Sequence, residues 1–164
     1  VRRWGMIRAM KTSDVPRVAE IHIFGQRTAY RGLVSEEFLF GKMTVEKRMD
    51  YFKSNGAEGY VFDDGVVKGF ITLGPCEDED GAAFFELYRI FVDPFMLGDG
   101  IGVKLAAYFE DIATERGYNE ICLWVLEGNV KARAFYEKLG YIEDGAKRIS
   151  GYFKVYEVRY IKRM

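Results

Sequence analysis

Apolar residues recur every three or four positions in four stretches of the chain, and they crowd together or alternate in the segments between. Val15, Val18, Ile21 and His22 share the helical interval and predict a helix over 13–30, with Thr12 or Ser13 as its cap and Pro16 in its first turn. A turn at Arg31 and Gly32 leads to a second helical stretch over 35–54, whose apolar positions are Phe38, Leu39, Met43, Met49 and Phe52. "GYVFDDGVVKGFITL" sets Asp64 and Gly65 between two β-rich runs, a hairpin signal, and "AAFFELYRIFV" is a longer strand that halts at Pro94. A third helix runs from a glycine-rich loop to about Arg116 on Ile101, Leu105, Tyr108, Phe109 and Ile112, with Gly117 as its C-terminal cap. "EICLWVL" is nearly all apolar, as suits a strand covered on both faces. Residues 129–139 read as a fourth helix closed by Gly140, and the tail as two more strands, the second alternating from Tyr152 to Tyr160.

With a first strand near Met6 to Met10, the order is strand, two helices, three strands, helix, strand, helix, two strands. The natural packing is an α/β (α+β) fold: a mixed sheet with helices on both faces. The 164 residues are expected to form a single domain, 1–164, with "VRRWG" as a short flexible extension over 1–5. Hydrophobic residues make up 49%, enough for a substantial core. A net charge of −1 makes no electrostatic case for nucleic acid or a membrane surface. No apolar run reaches transmembrane length and no signal-peptide pattern opens the chain, so a cytoplasmic location is expected. Cys76 and Cys122 are read as reduced and as forming no metal-ligand cluster, and the single histidine, His22, excludes a histidine-rich zinc site.

Chemistry concentrates in "PFMLGDGIGVKLAAYFE". Gly98, Gly100 and Gly102 stand at a helix entrance, where backbone N–H groups lack partners and the helix dipole favours an anion. Glycine also clears side chains from the space a phosphate would need. The loop is thus a candidate phosphate cradle, with a tight turn and a close helix–sheet contact as the alternative. Gly102 is followed by Val103 and Lys104, so the P-loop hydroxyl is missing. A dinucleotide fingerprint counted from Gly98 would need its third glycine at Val103, so that spacing fails too.

"IFVDPFMLGDGIGVKLAAYFEDIATERG" followed by "LWVLEGNVKARAFYEKLGY" resembles motifs A and B of the GNAT superfamily of acyl-CoA-dependent N-acetyltransferases. "IHIFGQRTAYRGLVSEEFL" is similar to the first two helices of one bacterial branch. The resemblance implies the GNAT fold, with a mostly antiparallel sheet of about seven strands splayed between the fourth and fifth, and four helices. It implies acetyl-CoA as co-substrate without a metal, and direct attack by a primary amine of a small molecule or peptide. It also allows a homodimer. The alternative is a non-catalytic acyl-CoA-binding sensor, favoured by two departures: Leu97 stands where the family has Gln or Arg, and Asp99 where it often has a basic residue. Lys104, Lys131 or Arg133 are candidates for the missing charge.

The matching positions imply roles. The amides of Leu97, Gly98, Gly100, Gly102 and Val103 would hold the pyrophosphate, and the backbone edge of Ile90, Phe91 and Val92 the pantetheine. The amide of Phe91 or Val92 would face the oxyanion. Tyr136 would protonate or hydrogen-bond the leaving sulfur, or it is a packing aromatic. Asn129 would contact the cofactor, cap the following helix, or both. Glu86 is the leading base, a charge set in an apolar strand whose burial would raise its pKa; alternation puts it on the face of Phe84, Tyr88 and Ile90. Glu127, Tyr30 and a water chain are the alternatives. Tyr30 and Phe38 lie where relatives contact the acceptor. His22 reads as a structural histidine rather than a catalytic one, and Glu77, Asp78, Glu79 and Asp80 as a solvated loop rather than a lure for a cationic acceptor.

Overall fold

The computed structural model describes residues 6–56, 58–81 and 83–164; the expected extension over 1–5 lies outside the described residues. The chain runs β1 (Ile7–Ala9), α1 (Val15–Ala29), α2 (Val45–Asn55), β2 (Gly59–Asp63), β3 (Val67–Pro75), β4 (Phe85–Val92), α3 (Ile101–Glu115), β5 (Glu120–Leu126), α4 (Val130–Lys138), β6 (Ile142–Ile149) and β7 (Tyr156–Arg163). The strands form one seven-stranded sheet in the order β1-β2-β3-β4-β5-β7-β6. Every pairing is antiparallel except that of β4 with β5. The α/β layout, the mixed sheet and its two helical faces are as the apolar pattern predicts. Among the described residues, no helix is long and apolar enough to cross a membrane.

Each face of the sheet has its own core. Ile71, Leu73, Phe85, Leu87, Ile121 and Leu123 pack against Leu105, Phe109 and Ile112 of α3 and Tyr136 of α4. Val61 and Phe70, on the opposite face, pack against Val15, Val18 and Ile21 of α1 and Phe52 of α2. β7, flanked by β5 and β6, buries Val158, Arg159 and Tyr160 in succession, so both of its faces are covered.

Three boundaries differ from the sequence expectation, each through local hydrogen bonding. Neither Thr12 nor Ser13 caps α1. They belong to a tight turn held by Asp14, whose carboxylate accepts the Lys11 amide at 2.8 Å and is gripped by Arg8 at 2.8 Å. The stretch 35–54 is two pieces. Glu37–Lys42 forms one π-helical turn, with the Met43 amide donating to the Phe38 carbonyl at 3.1 Å; Met43 is extended and Thr44 then caps α2 by accepting the Lys47 amide at 3.3 Å. The last strand starts at Tyr156 instead of Tyr152. Ser150 gathers the Phe153 amide on its hydroxyl (3.1 Å) and the Lys154 amide on its carbonyl (2.9 Å), a turn in which Lys154 takes φ +59°.

β4 carries two irregularities that shape the site. Arg89 faces Thr72 of β3 but Leu87 faces Leu73, so Tyr88 is an extra residue, a bulge. β4 also pairs with β5 only at Phe85–Ile121 and Glu86–Cys122, and beyond Glu86 the two strands part.

Candidate active site

The parting of β4 from β5 opens a cleft of about 630 Å³, of a size that holds organic cofactors. Ile90, Phe91, Val92, Leu97, Gly98, Gly100, Gly102, Val103, Asn129 and Tyr136 all line it, so every expected cofactor position falls in one place. The β4 backbone from Leu87 to Val92 has no partner strand on this side. The amides and carbonyls that point away from β3 are free to bond an extended chain as a further strand would.

The glycine loop closes one end of the cleft. Gly98 at φ +113° and Gly100 at φ +65° hold conformations that disfavour L side chains, and Gly100 is the residue that caps α3. Among the described residues, no hydrogen bond is donated by the amides from Leu97 to Val103; the first bond of α3 runs from the Lys104 amide to the Gly100 carbonyl at 3.0 Å. These donors are available to an anion. Asp99 is exposed. Of the three cations weighed against it, Lys131 lines the cleft, Lys104 lies over the Phe62 ring at 5.7 Å, and Arg133 is spent on Tyr160 (3.0 Å), the Glu127 carbonyl (3.0 Å) and Glu143 (2.8 Å).

Tyr136 projects from α4 into the cleft and is 8% exposed. Burial, and secondarily Tyr30, pushes its phenol well above the ordinary tyrosine range, so it carries a proton at any physiological pH. Asn129 caps α4, its side-chain oxygen accepting the Ala132 amide at 3.2 Å, and it lines the cleft as well. Both readings of this residue therefore fit. Glu127 does not fit as a base: it is paired with Lys147 at 2.8 Å and lines neither cavity.

A second cavity of about 970 Å³ adjoins the first and shares Tyr30, Tyr88, Arg89, Phe91 and Trp124 with it. Glu86 lines it at 9% exposure. Burial first, then the charge of Asp78, pushes its carboxyl up to about 7, with Arg148 acting in the opposite sense. Plain alternation fails for this residue. The bulge at Tyr88 reverses the strand, so Ile90 packs into the α3 core while Glu86, Arg89 and Phe91 all line the larger cavity. Tyr88 itself folds back over Gly74, where a Cβ would come within 2.6 Å of its hydroxyl, and it donates to the Pro75 carbonyl at 2.5 Å.

The structure corrects several further expectations. Phe38 lines neither cavity; its ring stands edge-on to Tyr152 and Phe153, which do line the larger one, while Tyr30 lines both. The acidic run is exposed at Glu77, Glu79 and Asp80, as a solvated loop should be, but it is also pinned to the sheet. Asp78 accepts from Trp124 Nε1 at 2.9 Å and pairs with Arg148 (3.1 Å) and Arg159 (3.3 Å), and Asp80 pairs with Arg159 at 2.7 Å. The cysteines are free and buried, as expected, yet they are not apart from other ligands: Cys76, Cys122 and Glu86 each place a ligand atom within 4.8 Å of the others. Burial above all pushes Cys76 up to about 11 and Cys122 higher still, so both thiols are protonated at neutral pH. His22 is 1% exposed, and burial, then Arg48 and Arg89, hold its imidazole well below the usual range and neutral.

Sequence reasoning missed Arg48, Tyr51 and Arg89. All three line the larger cavity, with Arg48 and Arg89 at 5.3 and 4.9 Å from the Tyr51 ring. The available signal was a charged residue, Arg89, deep in an apolar strand; the same reasoning singled out Glu86 three positions earlier.

Comparison with known proteins agrees with this geometry. Residues 33–141 match the model of the acetyltransferase (GNAT) family. The uncharacterised N-acetyltransferase YuaI of Bacillus subtilis (strain 168) is 28% identical over 126 residues, 75% of this chain and 72% of its own. PaiA N-acetyltransferase from Thermoplasma acidophilum, solved in complex with coenzyme A, superposes with a TM-score of 0.73 at 24% identity, over 96% of this chain and 98% of that one. The protein yncA from Salmonella typhimurium, solved with its cofactor acetyl-CoA, gives a TM-score of 0.68 at 17% identity, over 96% of this chain and 92% of that one.

Proposed function

The chain belongs to the acetyltransferase (GNAT) family and is an acyltransferase, and from that premise we propose that it moves an acetyl group from acetyl-CoA to a primary amine of a small molecule or peptide. The observation that carries this reading is the parting of β4 and β5 beside a run of undonated amides.

Each demand of the reaction finds a residue. The amides of Leu97, Gly98, Gly100, Gly102 and Val103 hold the pyrophosphate, with Lys131 supplying the positive charge that Leu97 does not. The freed edge of Ile90, Phe91 and Val92 aligns the pantetheine, and Asn129 contacts the same chain. Glu86, poised near neutral pH, takes the proton that an ammonium must lose before it has a lone pair. The amine attacks the thioester carbonyl and forms the C–N bond, giving a tetrahedral adduct whose oxyanion accepts from the amide of Phe91 or Val92; the adduct then collapses with loss of the C–S bond, and the proton that its nitrogen sheds makes good the one that Tyr136 gives to sulfur. Tyr136, held protonated, supplies the departing thiolate with its proton. Tyr30, on the wall common to both cavities, contacts the acceptor, and Phe38 supports that wall through Tyr152 and Phe153.

Calorimetry with acetyl-CoA, CoA and ATP, followed by thiol release against a panel of amines, tests the proposal. Saturable acetyl-CoA binding with amine-dependent thiol release is expected. Leu97 and exposed Asp99 favour a second reading, an acyl-CoA sensor; tight binding without turnover on any amine would select it, and a preference for ATP would remove both.

A further inference from the structure

The larger cavity keeps its charges unevenly. Three of its acids are already engaged: Glu58 with Arg116 at 2.9 Å, Asp78 with Arg148 at 3.1 Å and Glu157 with Arg148 at 2.6 Å. Two of its arginines are not. Among the described residues, neither Arg48 nor Arg89 has a carboxylate partner. Arg48 is 9% exposed, and its one hydrogen bond reaches the Tyr152 hydroxyl at 3.4 Å. Arg89 donates to the Tyr51 hydroxyl at 2.9 Å and to Thr72 Oγ1 at 3.4 Å. A buried guanidinium is costly without an anion beside it, and two against one tyrosine ring repel each other as well. Buried polar atoms next to them are also idle: His22 Nδ1 and Gln26 Oε1, one turn apart on α1 and lining the same cavity, have no partner.

We propose that Arg48 and Arg89 seat a carboxylate of the acceptor, so that the substrate is an amine carrying a free acid: an amino acid or a close derivative. This rests on the transferase reading above and narrows it. A planar, bidentate fork is the group that matches a carboxylate, and two of them surround it better than one. Neutral His22 offers a hydrogen bond without adding a third charge. The opposite end of the zwitterion is met by Glu86. Arg89 sits opposite Thr72 and Glu86 opposite Gly74, two residues along β3 or about 7 Å, and the bulge turns both into one cavity. A small molecule that carries both an amine and an acid can therefore meet both side chains from within that cavity.

The test follows acetyl transfer over matched triples: the proteinogenic amino acids, their α-amides and the corresponding decarboxylated amines. The acids are expected to be preferred by about tenfold or more in kcat/KM. Arg89→Met is expected to raise KM for the acid by about 10–100-fold while lowering kcat by no more than a few-fold, and to slow the weak amide reaction far less, with Arg89→Lys recovering part of the loss. Equal use of acid and amide, or preference for the amide or amine, overturns the carboxylate seat and leaves the transferase reading intact. If no triple is acetylated, the transferase reading is left to the wider amine panel, and thermal unfolding of the CoA-saturated protein with millimolar amino acids decides the seat: an acid-specific rise in Tm, lost in Arg89→Met, supports it, and no rise with any acid overturns it. Arg48→Gln serves in the same assays should Arg89→Met not fold.

Discussion

Glu86 sets its proposed role as a base against stability in a single side chain. The folded protein holds its proton up to about pH 7, whereas the unfolded chain gives it up around 4.5. Between those values the native state binds more protons, so this group's contribution to stability falls as pH rises and is fully lost above about 7. Glu86→Gln removes the dependence. The variant's Tm relative to wild type should therefore climb from pH 4 to pH 8, a comparison that scanning calorimetry makes directly. The same substitution should lower kcat/KM by about 10²-fold or more and erase the rise in rate through pH 7. Tyr136→Phe keeps the packing and loses the proton: kcat should drop about 10-fold or more while the acetyl-CoA Kd stays within about threefold. Unchanged turnover would leave Tyr136 a packing aromatic. Glu86 was legible in the sequence as a charge in an apolar strand, and Tyr136 through the resemblance of its motif. Arg48 was not, because on a charged helix an arginine destined for burial looks like its exposed neighbours.

The glycine loop acts as an element together with α3, because the loop's free amides and the helix's dipole favour an anion at the same place. Gly100→Glu brings an anion and a side chain to a residue at φ +65°, and acetyl-CoA affinity should fall by about 100-fold or more in calorimetry. Gly100→Ala, which shares the backbone strain but not the charge, should cost only about 1–2 kcal/mol of stability and retain binding. The helices and strands were legible from apolar periodicity because burial imposes the same intervals on any chain. The bulge was not: a period of two says which residues alternate, but nothing in it marks where an extra one is inserted. That one residue, Tyr88, is why alternation grouped Glu86 with Ile90 when the structure groups it with Arg89. The Ser150 turn escaped for a related reason, since β-rich residues continue through 152–155 without a strand partner.

At the scale of the molecule, the fold holds an opening that its own packing does not fill. β4 and β5 share two register pairs, and the space beyond them is lined by both helical layers. A ligand that spans the gap binds the folded chain and not the unfolded one. Acetyl-CoA at about 100 times its Kd should stabilise the protein by about 2.7 kcal/mol, a Tm increase of about 5–10 °C for a domain of this size. The sequence carried the gap only through resemblance, because strand composition says how well a strand packs and nothing about where its pairing ends. The Asp78 network was hidden likewise: its arginines, Arg148 and Arg159, lie 70 and 81 residues away.

Among the described residues, Tyr30, Tyr88, Arg89, Phe91 and Trp124 line both cavities and form a wall between them. On the proposed function the coenzyme takes the cleft and the amine the larger cavity, so the two can be seated at once with that wall between them. Initial-rate plots varied in both substrates should then intersect, the mark of a sequential order, where parallel lines would demand that one product leave before the second reactant entered.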